Sequence, residues 1–375
     1  MIFELNRVVE QLAKDKGLPK ETVWNLVKKS VEQVAKKRLG DKKKIEVEYD
    51  PEIDKLVLLE IKTVVEEVKD PDTEISLSEA RRIDPDFKVG EELVYERNVL
   101  DLGRIGAYQV KQILMQKLKE EEKNSIYNEY VMRKGEIVSG IVNRIEKNAI
   151  VVDLGKSEAY LSFKDMIPGE MFAPGDRVKA YLEDVVKGNR GTKIVLSRTH
   201  PQFLVKLLES QVPEIYEGII TIVSVARDPG NRAKVAIKYK DIGIDPVGAC
   251  IGYKGSRIQN IVQELRGERI DIFKWSENIE ELICNALGDV EVIKLVIDEN
   301  EKSAEIVIPD NKLAVAVGKR GVNIKLASKI TGWKLSVKAE SKGTKTAKDI
   351  DAELAQYLLD ENLVKPKNHE ENENK

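Results

Sequence analysis

The sequence predicts a multidomain α+β protein, and three observations support that class. Residues 1–130 alternate between helical and strand-like periodicity and end in one long helical pattern. Five short strand-like runs follow between residues 137 and 197, separated by glycine-rich turns. The stretch 245–337 then contains the same pattern twice, which indicates an internal repeat. With 375 residues, the chain is long enough for two to four domains.

Residues 1–130 are predicted to form an α/β domain. Helical periodicity covers 3–15 and resumes at Leu18, and a short helix is predicted at 78–82. Strands are predicted at 45–49, 56–68 and 93–97, before a long helix over 104–130. Arg104 and Lys111 lie seven positions apart and therefore share one face of that helix, beside an apolar stripe. Such charges most often form only a solvated helix face. No catalytic constellation is visible in this region.

Residues 131–200 are predicted to form a small β-barrel. The five strands are expected at 137–145, 149–154, 159–163, 177–186 and 193–197. Five strands over so short a stretch favour an OB-type barrel, a fold that binds single strands by stacking bases on aromatic rings near cations. An equally good alternative is that the aromatic rings fill the barrel. The candidate residues are Tyr160, Phe163 and Tyr181, with Arg144, Lys164, Lys179 and Arg190.

The duplicated pattern is an apolar run, a Gly-x-x-Gly loop, a helical segment and a strand. The first loop occupies 252–255 and the second 318–321, an offset of 66 positions (252 to 318) that the flanking apolar runs share. Asp245-Pro246 and Pro309-Asp310 are helix-entry signals ahead of the two runs. A single Gly-x-x-Gly is usually only a tight turn between helices. Two copies with matching flanks favour a functional loop.

Two glycines in four residues allow a tight turn and let a ligand approach the main chain. The amides of the following helix then face that ligand and suit a phosphate. This arrangement resembles the KH domain, whose GxxG loop clamps about four nucleotides against an apolar groove. Ile251, Ile258, Val317 and Ile324 are predicted to line the grooves. The predicted RNA-binding residues are Gly252, Tyr253, Lys254, Gly255, Arg257, Ile258, Gly318, Lys319, Arg320, Gly321, Asn323 and Lys325.

A helix and two strands are predicted before each loop, which completes the α-β-β-α-α-β order of type II KH domains at 201–276 and 277–340. Since no flexible linker separates the two units, we expect one rigid body that presents both loops to one RNA strand. Residues 341–375 are rich in charged residues and asparagine and are predicted to be a largely disordered tail, with one amphipathic helix around 350–358.

Composition narrows the function further. The net charge is −3, so RNA binding must depend on local placement of cations rather than on a basic surface. The two cysteines, Cys250 and Cys284, have no metal-ligand spacing, and Cys250 lies in an apolar run typical of a core. We therefore expect a cytoplasmic protein without metal or cofactor. No secretory signal and no apolar run of about 20 residues is present, so no membrane partner is expected.

The order of these domains resembles the NusA family of bacterial transcription elongation, termination and antitermination factors. The resemblance covers about residues 1–340 and depends on long local motifs. The most specific are Ala226-Arg227-Asp228-Pro229-Gly230, Ile244-Asp245-Pro246-Val247-Gly248-Ala249-Cys250, Gly267-Glu268-Arg269-Ile270-Asp271-Ile272 and Thr331-Gly332-Trp333.

This resemblance implies a non-enzymatic factor whose N-terminal domain docks on RNA polymerase beside the RNA exit channel. The barrel and KH domains would hold nascent single-stranded RNA, and other antitermination factors would join. Arg104 and Lys111 match basic positions that face the exit channel in the family. We also expect a monomer, without regulation by the acidic C-terminal repeats of some family members. The barrel has Asn148, Val151 and Ser162 where RNA-binding relatives of its class often carry aromatic or histidine side chains. The KH pair should therefore dominate RNA binding.

Two alternative functions are associated with similar domains. The KH and OB modules alone also suit a ribosome-assembly or translation-associated RNA-binding protein. A phosphorolytic exoribonuclease carries similar modules, but it requires a larger catalytic core than residues 1–130 and an acidic, phosphate-binding constellation that this stretch lacks.

Overall fold

The computed structural model describes residues 5–51, 54–188, 191–240, 243 and 245–341. Contacts between Cα atoms divide the chain into two compact units. The first contains residues 1–132 and 187–192, and the second contains 133–186 and 193–375. In the described part of the chain, no helix combines the length and apolar character that crossing a membrane requires. The predicted tail at 341–375, with its helix around 350–358, lies outside the described residues from position 342 onward, as does Arg190.

The first unit is a four-stranded sheet covered by helices. β2 pairs antiparallel with β1 and β4 and parallel with β3. The elements are α1 (Leu5–Lys16), α2 (Lys20–Leu39), β1 (Lys44–Asp50), β2 (Lys55–Val65), β3 (Glu74–Ser76), α3 (Leu77–Ala80), β4 (Glu92–Asn98) and α4 (Gly103–Met132). The strand β2 ends at Val65 rather than at 68, and β3 was not predicted because three residues are too few for an alternating pattern to show.

Apolar residues of α2, β1 and β2 form the main core of this unit, including Val31, Ile45 and Leu58. Glu60 on β2 is also buried and accepts hydrogen bonds from Lys43 (2.8 Å) and Arg97 (2.5 Å). Burial alone would raise the pKa of Glu60, but the hydrogen bonds from these two cations outweigh it and lower the pKa. The carboxylate therefore remains charged inside the domain because both partners are held beside it.

The second unit begins with the predicted five-stranded barrel. Its strands close in the order β5-β6-β7-β9-β8. They are β5 (Ile137–Ile145), β6 (Ala149–Asp153), β7 (Glu158–Ser162), β8 (Arg177–Gly188) and β9 (Gly191–Ser197). Gly140 lies where a Cβ would stand 2.5 Å from the Asp153 carbonyl oxygen. A side chain at that position would therefore separate β5 from β6 and open the barrel.

The two repeats fold as predicted, each with helices on a three-stranded sheet. In both sheets the first two strands are antiparallel and the third runs parallel to the second. The first repeat contains α5 (Pro201–Gln211), α6 (Pro213–Tyr216), β10 (Ile220–Asp228), β11 (Arg232–Tyr239), α7 (Pro246–Ile251), α8 (Ser256–Glu264) and β12 (Arg269–Lys274). The second contains α9 (Ile279–Leu287), β13 (Lys294–Asp298), β14 (Ser303–Ile308), α10 (Leu313–Val317), α11 (Val322–Thr331) and β15 (Lys334–Ala339).

This topology confirms the predicted α+β class with a long helix, a five-stranded barrel and two type II KH units. The four-residue helix α6 was not predicted, because one helical turn is too short to show a 3.6-residue period.

A buried ion cluster joins the barrel to the first KH unit. Arg198 is buried and its guanidinium bonds the Glu170 carboxylate of the barrel (2.7 Å) and the Glu264 carboxylate of α8 (3.0 Å). It also donates to the main-chain carbonyls of Lys179 and Glu264. Arg198 therefore connects two folds through one planar side chain, the geometry in which arginine makes several charge-assisted bonds.

The two KH units share one apolar core. Residues on the sheet of the first unit pack with the helices and strands of the second, so helix α11 covers a face of the first sheet. This core includes Ala226, Ala236 and Phe273 of the first KH unit. It also includes Ile283, Ile324 and Ala327 of the second KH unit. The shared core fixes the second loop relative to the first sheet, since separation would expose these apolar groups to water.

Candidate nucleic-acid interface

The two GxxG loops have the same backbone conformation. Gly252 has φ 77° and ψ 173°, and Gly318 has φ 74° and ψ 169°. Only glycine adopts this region of φ/ψ space without steric strain. Two positions later, Lys254 (φ 49°) and Arg320 (φ 55°) both adopt left-handed conformations, and a second left-handed glycine follows each. The repeat in the sequence is therefore matched by a repeat in the backbone conformation of the two loops.

The first glycine of each loop also touches the helix that follows. A Cβ on Gly252 would lie 2.7 Å from Cγ of Arg257, and a Cβ on Gly318 would lie 2.8 Å from Cβ of Asn323. The last glycine of the first loop, Gly255, has no atom within 4 Å of such a Cβ. The first glycine is thus required by packing inside the protein, while the space beside Gly255 is open to a ligand.

The side chains between the glycines lie on the surface. Tyr253 is 82% exposed, and Lys254, Lys319 and Arg320 are exposed as well. Lys325, on the helix after the second loop, is exposed too. Both loops therefore present their variable residues to solvent, as a nucleic-acid contact requires.

Asn323 corrects one of the predicted RNA contacts. It is 1% exposed, and its amide nitrogen donates to the carbonyls of Ala316 (3.0 Å), Leu287 (3.2 Å) and Val315 (3.3 Å). A side chain five positions after the first glycine points under the loop rather than out of it. Asn323 therefore supports the loop from inside and does not reach RNA directly.

Arg257 occupies the matching position in the first KH unit and is half-buried. Its guanidinium donates to the Glu214 carboxylate (2.9 and 3.1 Å) and to the Ala249 carbonyl (2.7 Å). These bonds all come from its Nη1 atom, and the Glu214 carboxylate balances the charge of Arg257 within the protein. Glu214 lies on α6, and because that helix gave no periodic signal, the sequence did not indicate this partner.

The predicted groove residues divide between surface and core. Ile251 is 38% exposed and Ile258 and Val317 are half-buried, as a groove lining would be. Ile324 is instead buried in the core that the two KH units share. Its prediction as a groove residue is wrong, because the α11 face that carries it packs against the first sheet. Gly321 is buried as well.

A cleft of about 350 Å³ lies between the second loop and the first KH unit. Lys319 and Val322 line it from the second unit. The first unit contributes Gly230, Asn231, Arg232, Gly267 and Arg269. Arg269 belongs to the Gly267–Ile272 motif, but nothing in the sequence placed it near the second loop. The cleft brings cations of both KH units to one surface.

The charges on the first-unit wall of this cleft are partly balanced. Arg232 donates to the Asp271 carboxylate (2.7 Å), which also accepts from the buried Lys234 (3.1 Å). Burial lowers the pKa of Lys234, while Asp271 opposes that shift. Arg232 therefore shares the Asp271 carboxylate with a second basic side chain.

The barrel candidates behave differently from one another. Phe163 is 45% exposed, and Lys193 lies 5.8 Å from the ring centroid of the half-buried Tyr160. Tyr181 instead stacks on His200, with 4.7 Å between ring centroids, and packs against the core of the first KH unit. Of the two alternatives that the sequence left open for Tyr181, the structure therefore favours an internal packing role over base stacking.

The cationic candidates of the barrel differ as well. Arg144 is bonded to Glu158 (2.5 and 2.9 Å) and Glu146. Lys179 lies 3.7 Å from Glu264. Lys164 is exposed beside Phe163 in the sequence. The remaining aromatic and basic surface of the barrel consists of Tyr160, Phe163, Lys164 and Lys193. It is smaller than the sequence suggested.

In the N-terminal α/β domain, Arg104 and Lys111 are both exposed and line one apolar cleft of about 700 Å³. The remaining lining is almost entirely aliphatic and comes from α1, α2, β2 and α4, including Val9, Val31 and Leu114. The structure thus brings the two predicted cations together at the edge of a single hydrophobic depression.

Within the residues that the structure describes, no cluster of histidine, cysteine, aspartate and glutamate has the geometry of a metal site. Cys250 is fully buried, which confirms its predicted place in the core. Burial raises the pKa of its thiol to about 11, with the Glu214 carboxylate acting in the same direction. Such a thiol is a packing group rather than a nucleophile.

Four family models match successive parts of the chain between residues 4 and 345. The NusA N-terminal domain matches residues 4–124, and the S1 RNA binding domain matches 132–198. The NusA-like first KH domain matches 198–275, and the NusA-like second KH domain matches 279–345. These matches follow the α/β domain, the barrel and the two KH units described above.

Three relatives are similar to this chain over most of their length. The chain is 41% identical to the transcription termination/antitermination protein NusA of Halalkalibacterium halodurans over 341 residues, covering 91% of this chain and 89% of that protein. It is 40% identical to NusA of Bacillus subtilis (91% and 92% covered) and 38% identical to NusA of Thermus thermophilus (88% and 88%). With the matching domain order and the paired GxxG geometry, these similarities establish that the chain belongs to the NusA family of transcription termination/antitermination proteins.

Proposed function

We propose that this protein is a non-enzymatic transcription factor that controls pausing, intrinsic termination and antitermination. In this proposal, residues 1–130 bind RNA polymerase, and the KH pair captures nascent single-stranded RNA with a contribution from the barrel. The observation that carries the proposal is the pair of exposed GxxG turns, identical in backbone and held together by one shared core. Such a pair suits two successive contacts on one RNA strand.

Each loop binds RNA by presenting main-chain amides and nearby cations to the phosphates. Lys254 serves the first loop, and Lys319 with Arg320 serves the second. The cleft between Lys319 and Arg269 supports a path for the strand from one KH unit to the other. Tethering to polymerase raises the local concentration of RNA, so each contact can be individually weak and sensitive to salt.

The hydrophobic cleft of the N-terminal α/β domain is the proposed polymerase contact. Its aliphatic lining suits an apolar segment of the polymerase, since burying that surface is favourable in water. Arg104 and Lys111 stand at its edge, where their charge can face the RNA that leaves the enzyme. We further propose that the protein acts in the cytoplasm as a monomer, together with other antitermination factors.

The RNA site is tested in the full-length chain by replacing Tyr253, Lys254, Lys319 and Arg320 with aspartate. Carboxylates at these positions repel phosphates, so affinity for single-stranded RNA should fall at least about 100-fold. The fold should survive because the side chains are exposed. Unchanged affinity in a filter-binding titration, with intact circular dichroism, would reject the assigned site.

The polymerase contact is tested with the double variant Arg104→Ala, Lys111→Ala in the full-length chain. It should shorten the lifetime of a hairpin-stabilised pause relative to the unmodified protein. Lys119→Ala, an exposed lysine elsewhere on α4, is the matched control and should leave the lifetime unchanged. Retention by purified ribosomes but not by purified polymerase would favour the ribosome-associated alternative instead.

A further inference from the structure

We infer that the two KH loops contact RNA in different ways: the first stacks a base on Tyr253, and the second neutralises phosphates. This inference rests on the proposed RNA-binding function and specifies the contact that each loop makes. It starts from a contrast within the repeat. The main chains of the loops are the same, yet Tyr253 and Lys254 stand where the second loop has Lys319 and Arg320.

Tyr253 is placed as a stacking surface. Its ring is 82% exposed, and Ile251, just before the loop, is 38% exposed. The Nζ atom of Lys254 lies 5.4 Å from the centroid of the ring. Every base has a π-face, so an exposed aromatic ring can stack on any of them, and a cation beside the ring adds a phosphate partner.

The first loop offers few cations that could bind phosphates. Arg257 on the following helix is bound to the Glu214 carboxylate and to the Ala249 carbonyl. Lys254 is therefore the main cation that this loop offers. The exposed aromatic side chain of Tyr253 beside it fits a contact that depends on stacking more than on charge.

The second loop has the opposite character. Lys319 and Arg320 are both exposed, and the helix that follows adds the exposed Lys325 and Lys329. Across the cleft lies the exposed Arg269 of the first unit. No aromatic residue stands at the position of Tyr253. Phosphate neutralisation, and the salt dependence that follows from it, should therefore concentrate at this loop.

The inference is tested first by salt dependence. Full-length protein and three variants (Tyr253→Ala, Tyr253→Phe, and Lys319→Ala with Arg320→Ala) are titrated with an unstructured 12-nucleotide RNA over a range of KCl concentrations. Tyr253→Ala should weaken binding by about 5- to 100-fold at every salt concentration, because one stacked base is lost. Tyr253→Phe should bind like the unmodified protein. The double alanine variant should reduce the salt slope by about 1.4, since two phosphate contacts disappear.

A second experiment locates the stacked base. The same RNA is synthesised with a single abasic residue at each position in turn. The unmodified protein should lose affinity most strongly at one position, and Tyr253→Ala should no longer distinguish that position from its neighbours. Because Tyr253 is exposed, the variant should keep the circular dichroism of the parent.

Three results would overturn the inference while leaving RNA binding intact: an unchanged affinity of Tyr253→Ala, a salt slope that it lowers as much as the double alanine variant, or a failure of Tyr253→Phe to bind normally. Absence of RNA binding by the unmodified protein would instead contradict the proposed function itself.

Discussion

Arg257 and Asn323 occupy equivalent positions in the two KH units, and each donates a hydrogen bond to the helix that precedes its loop. Arg257 bonds the carbonyl of Ala249 at 2.7 Å, and Asn323 bonds the carbonyl of Val315 at 3.3 Å. The two acceptors are themselves equivalent in the repeat. Carbonyls at a helix end lack partners within the helix. Different side chains therefore perform the same task, which is to join the helices on either side of a GxxG turn.

Replacing Asn323 with alanine should destabilise the protein by about 1–3 kcal/mol, because the Leu287 and Ala316 carbonyls would be left buried without this donor. Urea unfolding of the full chain measures the change. Lys329→Ala is the control on the same helix and should alter stability by less than about 0.5 kcal/mol, as exposed substitutions usually do. An equal effect of the two substitutions would show that Asn323 does not brace the loop.

Replacing Gly318 with alanine should cost about 2–5 kcal/mol of stability. The conformation at this residue is one that only glycine adopts freely, and the new Cβ would lie 3.0 Å from the main-chain nitrogen of Asn323 and 2.8 Å from the Cβ of Asn323. Gly321→Ala is the comparison within the same loop. Its Cβ would meet only Lys325 Cε at 3.7 Å, so the cost should be about 1–2 kcal/mol, from the left-handed backbone alone. If thermal unfolding showed Gly321→Ala to be the more damaging change, the packing argument would be wrong.

Replacing Glu268 with glutamine should cost about 3–5 kcal/mol, since it leaves the buried Arg227 without its counter-charge. The two side chains are 1% and 0% exposed and form two hydrogen bonds of 2.8 Å. Arg227 also bonds the carbonyls of Arg198 and His200, so the pair supports the junction between barrel and KH unit. Glu277→Gln removes the exposed ion pair with Lys238 and should leave the urea midpoint unchanged. A midpoint equally unchanged for Glu268→Gln would contradict the role of the buried pair.

Cys250 should resist alkylation in the folded protein. Burial raises its pKa to about 11, so at pH 8 only about one thiol in a thousand is the reactive thiolate. Treatment with iodoacetamide, followed by peptide mass mapping, should label Cys284 before Cys250, because Cys284 is only half-buried although burial raises its pKa too. In urea both cysteines should react at similar rates. Rapid labelling of Cys250 in the native protein would place it at an accessible surface.

The loops could be predicted from sequence because their information is local. The left-handed turns depend on glycines at 252, 255, 318 and 321, and the repeat itself identified which glycines mattered. Domain order and most helices and strands follow for the same reason, since periodicity reports which side of an element is apolar. The shortest elements, β3 with three residues and α6 with four, are too short for a period to repeat, and they were missed.

The direction of individual side chains required the folded chain. Asn323 and Ile324 follow the second loop as Arg257 and Ile258 follow the first, yet both are buried, because α11 packs on the sheet of the other KH unit. Tyr181 faces His200 rather than RNA for a similar reason. Local preferences can specify the turn of a main chain, but whether a side chain meets solvent depends on surfaces contributed by residues far away in the sequence.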